Sequence, residues 1–167
     1  ASFLEITEAY LQRERNLQQL QRLRLQDEAI NSSLSGVIIS DARMPDMPVT
    51  YINRAFTTIT GYGAEDIIGR NCRFLHGDDH DQPDLIRLRA ALKRREGGEY
   101  ILRNYRKDGR QFISQLRIAP VRNDANEVTH FVAIQTDITE KFIAERELEE
   151  TRDRMEMALE GAQLGLL

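Results

Sequence analysis

Cys72 is the only cysteine in the 167-residue chain, and it stands within the run Gly69-Arg70-Asn71-Cys72-Arg73-Phe74-Leu75-His76. One thiol cannot close an internal disulfide, and with three scattered histidines it makes a poor zinc site. Any chemistry here is that of a lone thiol. An ordinary cysteine titrates near ~8.5, so at neutral pH it is mostly protonated and only weakly nucleophilic. Reaction at Cys72 needs activation from outside the side chain; without it, a lone cysteine is a small buried hydrophobe. Guanidinium forks can grip phosphate oxygens bidentately, and amide side chains, with a donor and an acceptor on one planar group, suit a ligand edge where donors and acceptors alternate. Taken singly, such arginines and amides more often face solvent.

Other constellations carry less. Gly77-Asp78-Asp79-His80-Asp81 offers carboxylates and an imidazole, but it lacks EF-hand spacing and a terminal glutamate. It reads as a solvated loop, with Asp81 placed to cap a following helix. No Gly-rich strand-to-helix fingerprint and no acid/base pair is present, so the chain reads as something other than an enzyme.

These residues need elements to position them. A hydrophobic content of 41% over 167 residues supports one core with flanking segments. From Phe3 to about Ile30 the chain has no Gly or Pro and places Ile6, Tyr10, Leu17 and Leu20 at helical spacing. That predicts an amphipathic helix ending near Asn31-Ser32-Ser33, where short polar side chains compete for backbone hydrogen bonds. Gly36–Ser40 and Val49–Ile52 read as a hairpin around a Pro-containing loop. Short pieces punctuated by Gly61, Gly63, Gly69 and Gly77 precede a helix from about Pro83 to Arg95, with Pro83 in its first turn and Gly97-Gly98 stopping it. Strands are expected over Glu99–Arg106, Gln111–Pro120 and Glu127–Asp137, joined by a Lys107-Asp108-Gly109 turn and one at Asn123–Asn126. A second helix runs over Glu140–Glu160, with Leu148, Met155 and Ala162 seven residues apart. Two strands, a helical middle and three strands make an α+β domain with an antiparallel sheet.

The segment GRNCRFLH resembles the signature GxNCRFLQ of the light-oxygen-voltage (LOV) domains, a branch of the PAS superfamily. The resemblance extends over about Leu34–Thr139 and includes TGY at Thr60–Tyr62, NYRKDG at Asn104–Gly109 and FVAIQTDIT at Phe131–Thr139. It implies a PAS/LOV fold: a five-stranded antiparallel sheet with helices packed on one face and long helices at both ends. The implied organisation is an N-terminal helix (1–31), the LOV core (32–139), a C-terminal signalling helix (140–160) and the truncated start of a following domain (161–167). Arg154–Leu167 resembles the opening helix and first strand of another PAS-type domain.

The resemblance also implies a function: blue-light sensing by a bound flavin that forms a reversible adduct between its C4a carbon and Cys72. Arg73 and Arg89 match the family's phosphate ligands, with Arg87 a secondary contact or a solvated residue. Asn71 matches a ribityl ligand, Asn104 a reader of the ring's polar edge, and Gln135 the glutamine near N5 and O4. The loop between Gly77 and Pro83 lacks the insertion of FAD-using relatives, so FMN is favoured over FAD. Two positions depart from the pattern. His76 stands where Gln is usual and Ser114 where a second Asn is common; both imply altered flavin contacts and an altered dark-recovery rate.

A net charge of −4 with interspersed signs argues against nucleic acid or an anionic membrane as partner. No stretch approaches the ~18 apolar residues of a membrane span, and the opening residues lack the order of a secretory signal; the expected location is cytoplasmic. The flanking helices have imperfect heptads, which suits a homodimer whose packing is marginal enough to switch. A covalently linked effector or further PAS domain is the expected downstream partner. The competing readings are a light-insensitive PAS module that binds a metabolite or haem or only dimerises, and a redox flavoenzyme.

Overall fold

A computed structural model describes residues 1–165. The first helix, α1 (Phe3–Asn31), opens with a capping box: Ser2 Oγ accepts from the Glu5 amide while the Glu5 carboxylate accepts from the Ser2 amide. None of its side chains is buried, and Leu17, Leu20 and Leu23 are about half exposed. The chain then forms β1 (Gly36–Asp41) and β2 (Val49–Ile52), α2 (Arg54–Thr60), α3 (Ala64–Ile67), a 3₁₀ turn at Cys72–His76, and α4 (Pro83–Lys93). Three long strands follow, β3 (Gly98–Tyr105), β4 (Gln111–Arg122) and β5 (Val128–Asp137), before α5 (Thr139–Gly165) leaves the sheet.

The strands form one antiparallel sheet in the order β2-β1-β5-β4-β3, with β5 at its centre. The expected α+β architecture with five strands and two flanking helices is what the chain adopts. Side chains alternate across a strand, so the register defines a single inner face: Tyr100, Leu102 and Asn104 on β3; Phe112, Ser114, Leu116 and Ile118 on β4; Ala133 and Gln135 on β5; Ile38 on β1. The short helices and α4 cover this face in two apolar clusters. One gathers Phe56, Ile67 and Leu75 with Ile38, Val49 and Ala133; the other gathers Leu85, Leu88 and Ala91 with Tyr100 and Leu102. Leu116 and Ile118 pack against both.

Three local expectations are corrected. Gly97-Gly98 does not stop α4. The helix ends at Lys93, and Arg95 takes the left-handed backbone (φ 60°), held there by its guanidinium donating to the Ala42 carbonyl. Gly97 serves close approach instead: a Cβ there would collide with the carbonyl oxygen of Ile118. Asp81 does not cap α4; the N-cap position belongs to Gln82, which makes no side-chain cap bond. Finally, α5 continues beyond Glu160 to Gly165, so Arg154–Gly165, part of the stretch expected to hold an opening helix and a first strand, is helix, while 166–167 lie outside the described residues. Among the described residues no helix is long and apolar enough to cross a membrane.

Candidate functional site

The 3₁₀ turn that carries Cys72 is fixed by its own first residue. Asn71 is its N-cap, with Oδ1 accepting from the Arg73 amide at 2.9 Å and Nδ2 donating to the Asp46 carbonyl at 2.6 Å. Gly69 precedes it at φ 86°, a conformation that favours glycine. Cys72 is partly buried and packs against the cluster around Ile38, Phe56 and Ala133. Burial pushes its thiol up to about 12. The thiol therefore stays protonated at any physiological pH.

Three polar side chains occupy the inner face opposite this turn, on β3, β4 and β5, and all are buried: Asn104, Ser114 and Gln135. Burying a polar atom without a partner costs about 1–3 kcal/mol. Ser114 Oγ and Gln135 Oε1 nevertheless have no hydrogen-bond partner among the described residues. Asn104 is partnered by His76, whose Nδ1 lies 3.1 Å from its Oδ1. Burial pushes the His76 imidazole below its ordinary pKa, a shift opposed by the Asn104 bond and reinforced by the charge of Arg89. A flavin-type ring would satisfy these groups, because an unpaired hydroxyl and an unpaired amide oxygen on adjacent strands call for a ligand with both donors and acceptors along one edge.

The two arginines differ. Arg73 is exposed and forms a two-pronged ion pair with Asp46, which holds that carboxyl below the usual carboxylate range. Arg89 is exposed on α4 near His76, and among the described residues no hydrogen bond engages its guanidinium. Arg87 pairs with Asp84 at 2.6 Å and lies over the Tyr100 ring, so it serves the fold. A groove of about 370 Å³ between α4, β3 and the start of α5 contains none of the expected site residues.

Several residues that position the site escaped sequence reasoning. Buried Gln82 donates to the carbonyls of Asp79 and Arg103 and accepts from the Arg103 amide at 2.7 Å. Asp79 forms a two-pronged pair with Arg103, both contacts 2.7 Å, and accepts from the Tyr105 hydroxyl. Together they latch the 77–82 loop to edge strand β3. Buried Asn53 accepts from the amides of Val37 and Phe56 and donates to the carbonyls of Ile30 and Ser35, so it ties α1, β1 and α2 at one point. At the end of β5 nearest this point, Asp137 accepts from Arg106 at 2.6 Å and from both Thr139 donors, starting α5.

Comparison with known proteins supports the fold and the family. The PAS domain family model matches residues 34–140. A blue-light photoreceptor of Listeria monocytogenes is 40% identical over 129 residues, 77% of this chain and 51% of that protein. Blue-light-activated histidine kinase 1 of Erythrobacter litoralis is 38% identical over 77% of this chain and 35% of its own length. This chain thus spans about half or less of these relatives. Among solved structures, the LOV domain of an Erythrobacter litoralis blue-light activated histidine kinase is 37% identical with a TM-score of 0.59, covering 63% of this chain and 96% of that one. An RNA-binding light-oxygen-voltage receptor is 33% identical with a TM-score of 0.71, over 77% and 36%. The chain belongs to the PAS domain family and is a light-oxygen-voltage domain, a sensory module of the blue-light photoreceptor kind.

Proposed function

We propose that this LOV domain binds FMN against the inner face of the sheet and that Cys72 bonds to it reversibly under blue light. The observation that carries this reading is the unpartnered, buried Oε1 of Gln135 on the face that Cys72 overlooks. Flavin supplies the light absorption and an excited state reactive toward a thiol. In the reaction the Cys72 sulfur bonds to ring carbon C4a and the thiol proton passes to the neighbouring ring nitrogen, N5. A thiol held near 12 does not attack in darkness, so reaction waits for light. Ser114 and Asn104 address the polar edge of the ring, Asn71 holds the turn and meets the ribityl chain, and His76 lines the same end. Arg89 and Arg73 hold the phosphate, Arg73 by exchanging Asp46 for it. The short, latched 77–82 loop favours FMN over FAD.

The signal passes from Gln135 along β5 to Asp137 and Thr139 and so to α5. The organisation we propose is a helical arm (1–31), a sensor core (32–139) and a signalling helix (140–160) that continues within α5 to Gly165 as the start of a further domain (161–167). The exposed apolar side chains of α1 and α5, Leu17, Leu20, Leu148 and Met155 among them, suit a homodimer through the flanking helices. A linked effector or PAS domain receives the output, and the module itself performs no catalysis. A reducing cytoplasm keeps Cys72 a free thiol. Mass spectrometry of the chromophore released from purified protein tests the cofactor. FMN is expected; FAD, haem or no chromophore would contradict the reading.

A further inference from the structure

His76 is 8% exposed, and its Nδ1 stands 3.1 Å from Asn104 Oδ1, joining the Cys72 turn to β3. A carboxamide oxygen only accepts, so this contact requires the proton on Nδ1 and leaves Nε2 bare in the neutral ring. Burial favours that neutral ring. The groups around it are Arg89 on α4, His80 and Asp79 in the loop, and Asn104 on β3. This is the one side-chain hydrogen bond of Asn104 among the described residues, and its amide can turn over only if the imidazole moves its proton from Nδ1 to Nε2. Among the described residues no hydrogen bond engages Asn104 Nδ2, and on the inner face Asn104 is diagonal to Ser114, which is in turn diagonal to Gln135.

We propose that His76 is a positioning residue that locks the Asn104 carboxamide in one of its two orientations, so that this position offers the flavin an N–H donor. The proposal rests on the LOV reading above. His76 thus acts on the ring through Asn104 rather than by touching it. The consequence is specific: a carbonyl oxygen of the ring, and not its N–H, is the group met by Asn104. A donor to a ring carbonyl draws electron density from the ring, so its loss alters both the blue absorption band and the lifetime of the lit state.

The test uses the full chain with its bound flavin, labelled with ¹⁵N-histidine, and long-range ¹H–¹⁵N spectra that distinguish the two imidazole tautomers. The His76 signals are assigned by their loss in His76→Gln. The expected result is an Nδ1-protonated ring in the wild type that loses this tautomer in Asn104→Ala. Alongside it, His76→Phe shifts the blue band and changes dark recovery by roughly five-fold, the factor one neutral hydrogen bond supports, and His76→Gln restores most of both. An Nε2-protonated ring, a tautomer indifferent to Asn104→Ala, or an unchanged spectrum and recovery in His76→Phe would each overturn the proposal while leaving the flavin reading intact. A purified chain without a blue absorption band overturns both, and that outcome is visible before any variant is made.

Discussion

Ser35 and Thr136 share a hydroxyl–hydroxyl hydrogen bond of 2.9 Å, and the next residue, Gly36, lies opposite Gln135 in the β1–β5 register. The chain leaving α1 is therefore fastened to β5 one residue from the amide proposed to sense the flavin. Thr139, at the start of α5, is fastened through Asp137 to the same end of that strand. A part-buried neutral pair of this kind contributes about 0.5–1.5 kcal/mol. A double-mutant cycle of Ser35→Ala and Thr136→Val, read by urea denaturation in darkness, should give a coupling energy in that range. Strict additivity would show that the two hydroxyls do not hold each other.

Asn53 carries a heavier structural share. Its carboxamide serves four backbone groups from α1, the link after it, β1 and α2, and truncation strands a part-buried donor at Val37 and a buried one at Phe56. Asn53→Ala is expected to lower stability by about 3 kcal/mol, since each buried group left unpaired costs about 1–3 kcal/mol. Denaturant melts of the dark protein check this, and a loss below about 1 kcal/mol would contradict it.

The asymmetry between the arginines predicts unequal effects on cofactor retention. Arg73 must leave Asp46 to meet a phosphate, whereas the guanidinium of Arg89 needs no such exchange. Charge-assisted hydrogen bonds contribute about 1.5–3 kcal/mol, so Arg89→Ala should weaken FMN binding by roughly ten-fold or more. Arg73→Ala should weaken it less. Equilibrium titration of the stripped protein with FMN measures both, and the reverse ranking would refute the assignment.

His76 gives the fold a distinct acid sensitivity. Burial holds its imidazole below the ordinary 6.5, so on acidification the unfolded chain takes up this proton before the folded one does. Stability is lost as pH falls below 6.5 toward the folded value, with a slope of at most about 1.4 kcal/mol per pH unit. The Asp79 contribution acts lower: its pairing with Arg103 holds it at about 2 against an ordinary 3.8, so it persists above 3.8 and fades as pH falls toward 2. The advantage of pH 7 over pH 5 in denaturant midpoints should thus shrink in His76→Gln. An unchanged difference would mean that the imidazole is not buried in its neutral form.

The strands and long helices were legible because period-two and period-3.6 patterns are local, whereas Cys72, Asn104 and Gln135 were singled out by the family motifs in which they stand. What was not legible depends on partners far along the chain. Nothing near Asn53 or Gln82 announces that their amides meet backbone from 18 to 23 residues away. The stop of α4 looked like work for Gly97-Gly98, but the left-handed Arg95 is held by the Ala42 carbonyl and Gly97 is needed where β4 passes. The pairing of Arg73 with Asp46, and of His76 with Asn104, likewise follows from which loops the sheet brings together.

The claim on which the rest depends is that Cys72 bonds to a flavin under blue light. The absorption spectrum of the purified chain, recorded before, during and after blue illumination beside Cys72→Ala, tests it most directly. The account predicts a structured blue band that bleaches to a single near-ultraviolet band and recovers in darkness, with no such cycle in Cys72→Ala. Absence of a blue band, or bleaching that is the same in Cys72→Ala, would contradict it.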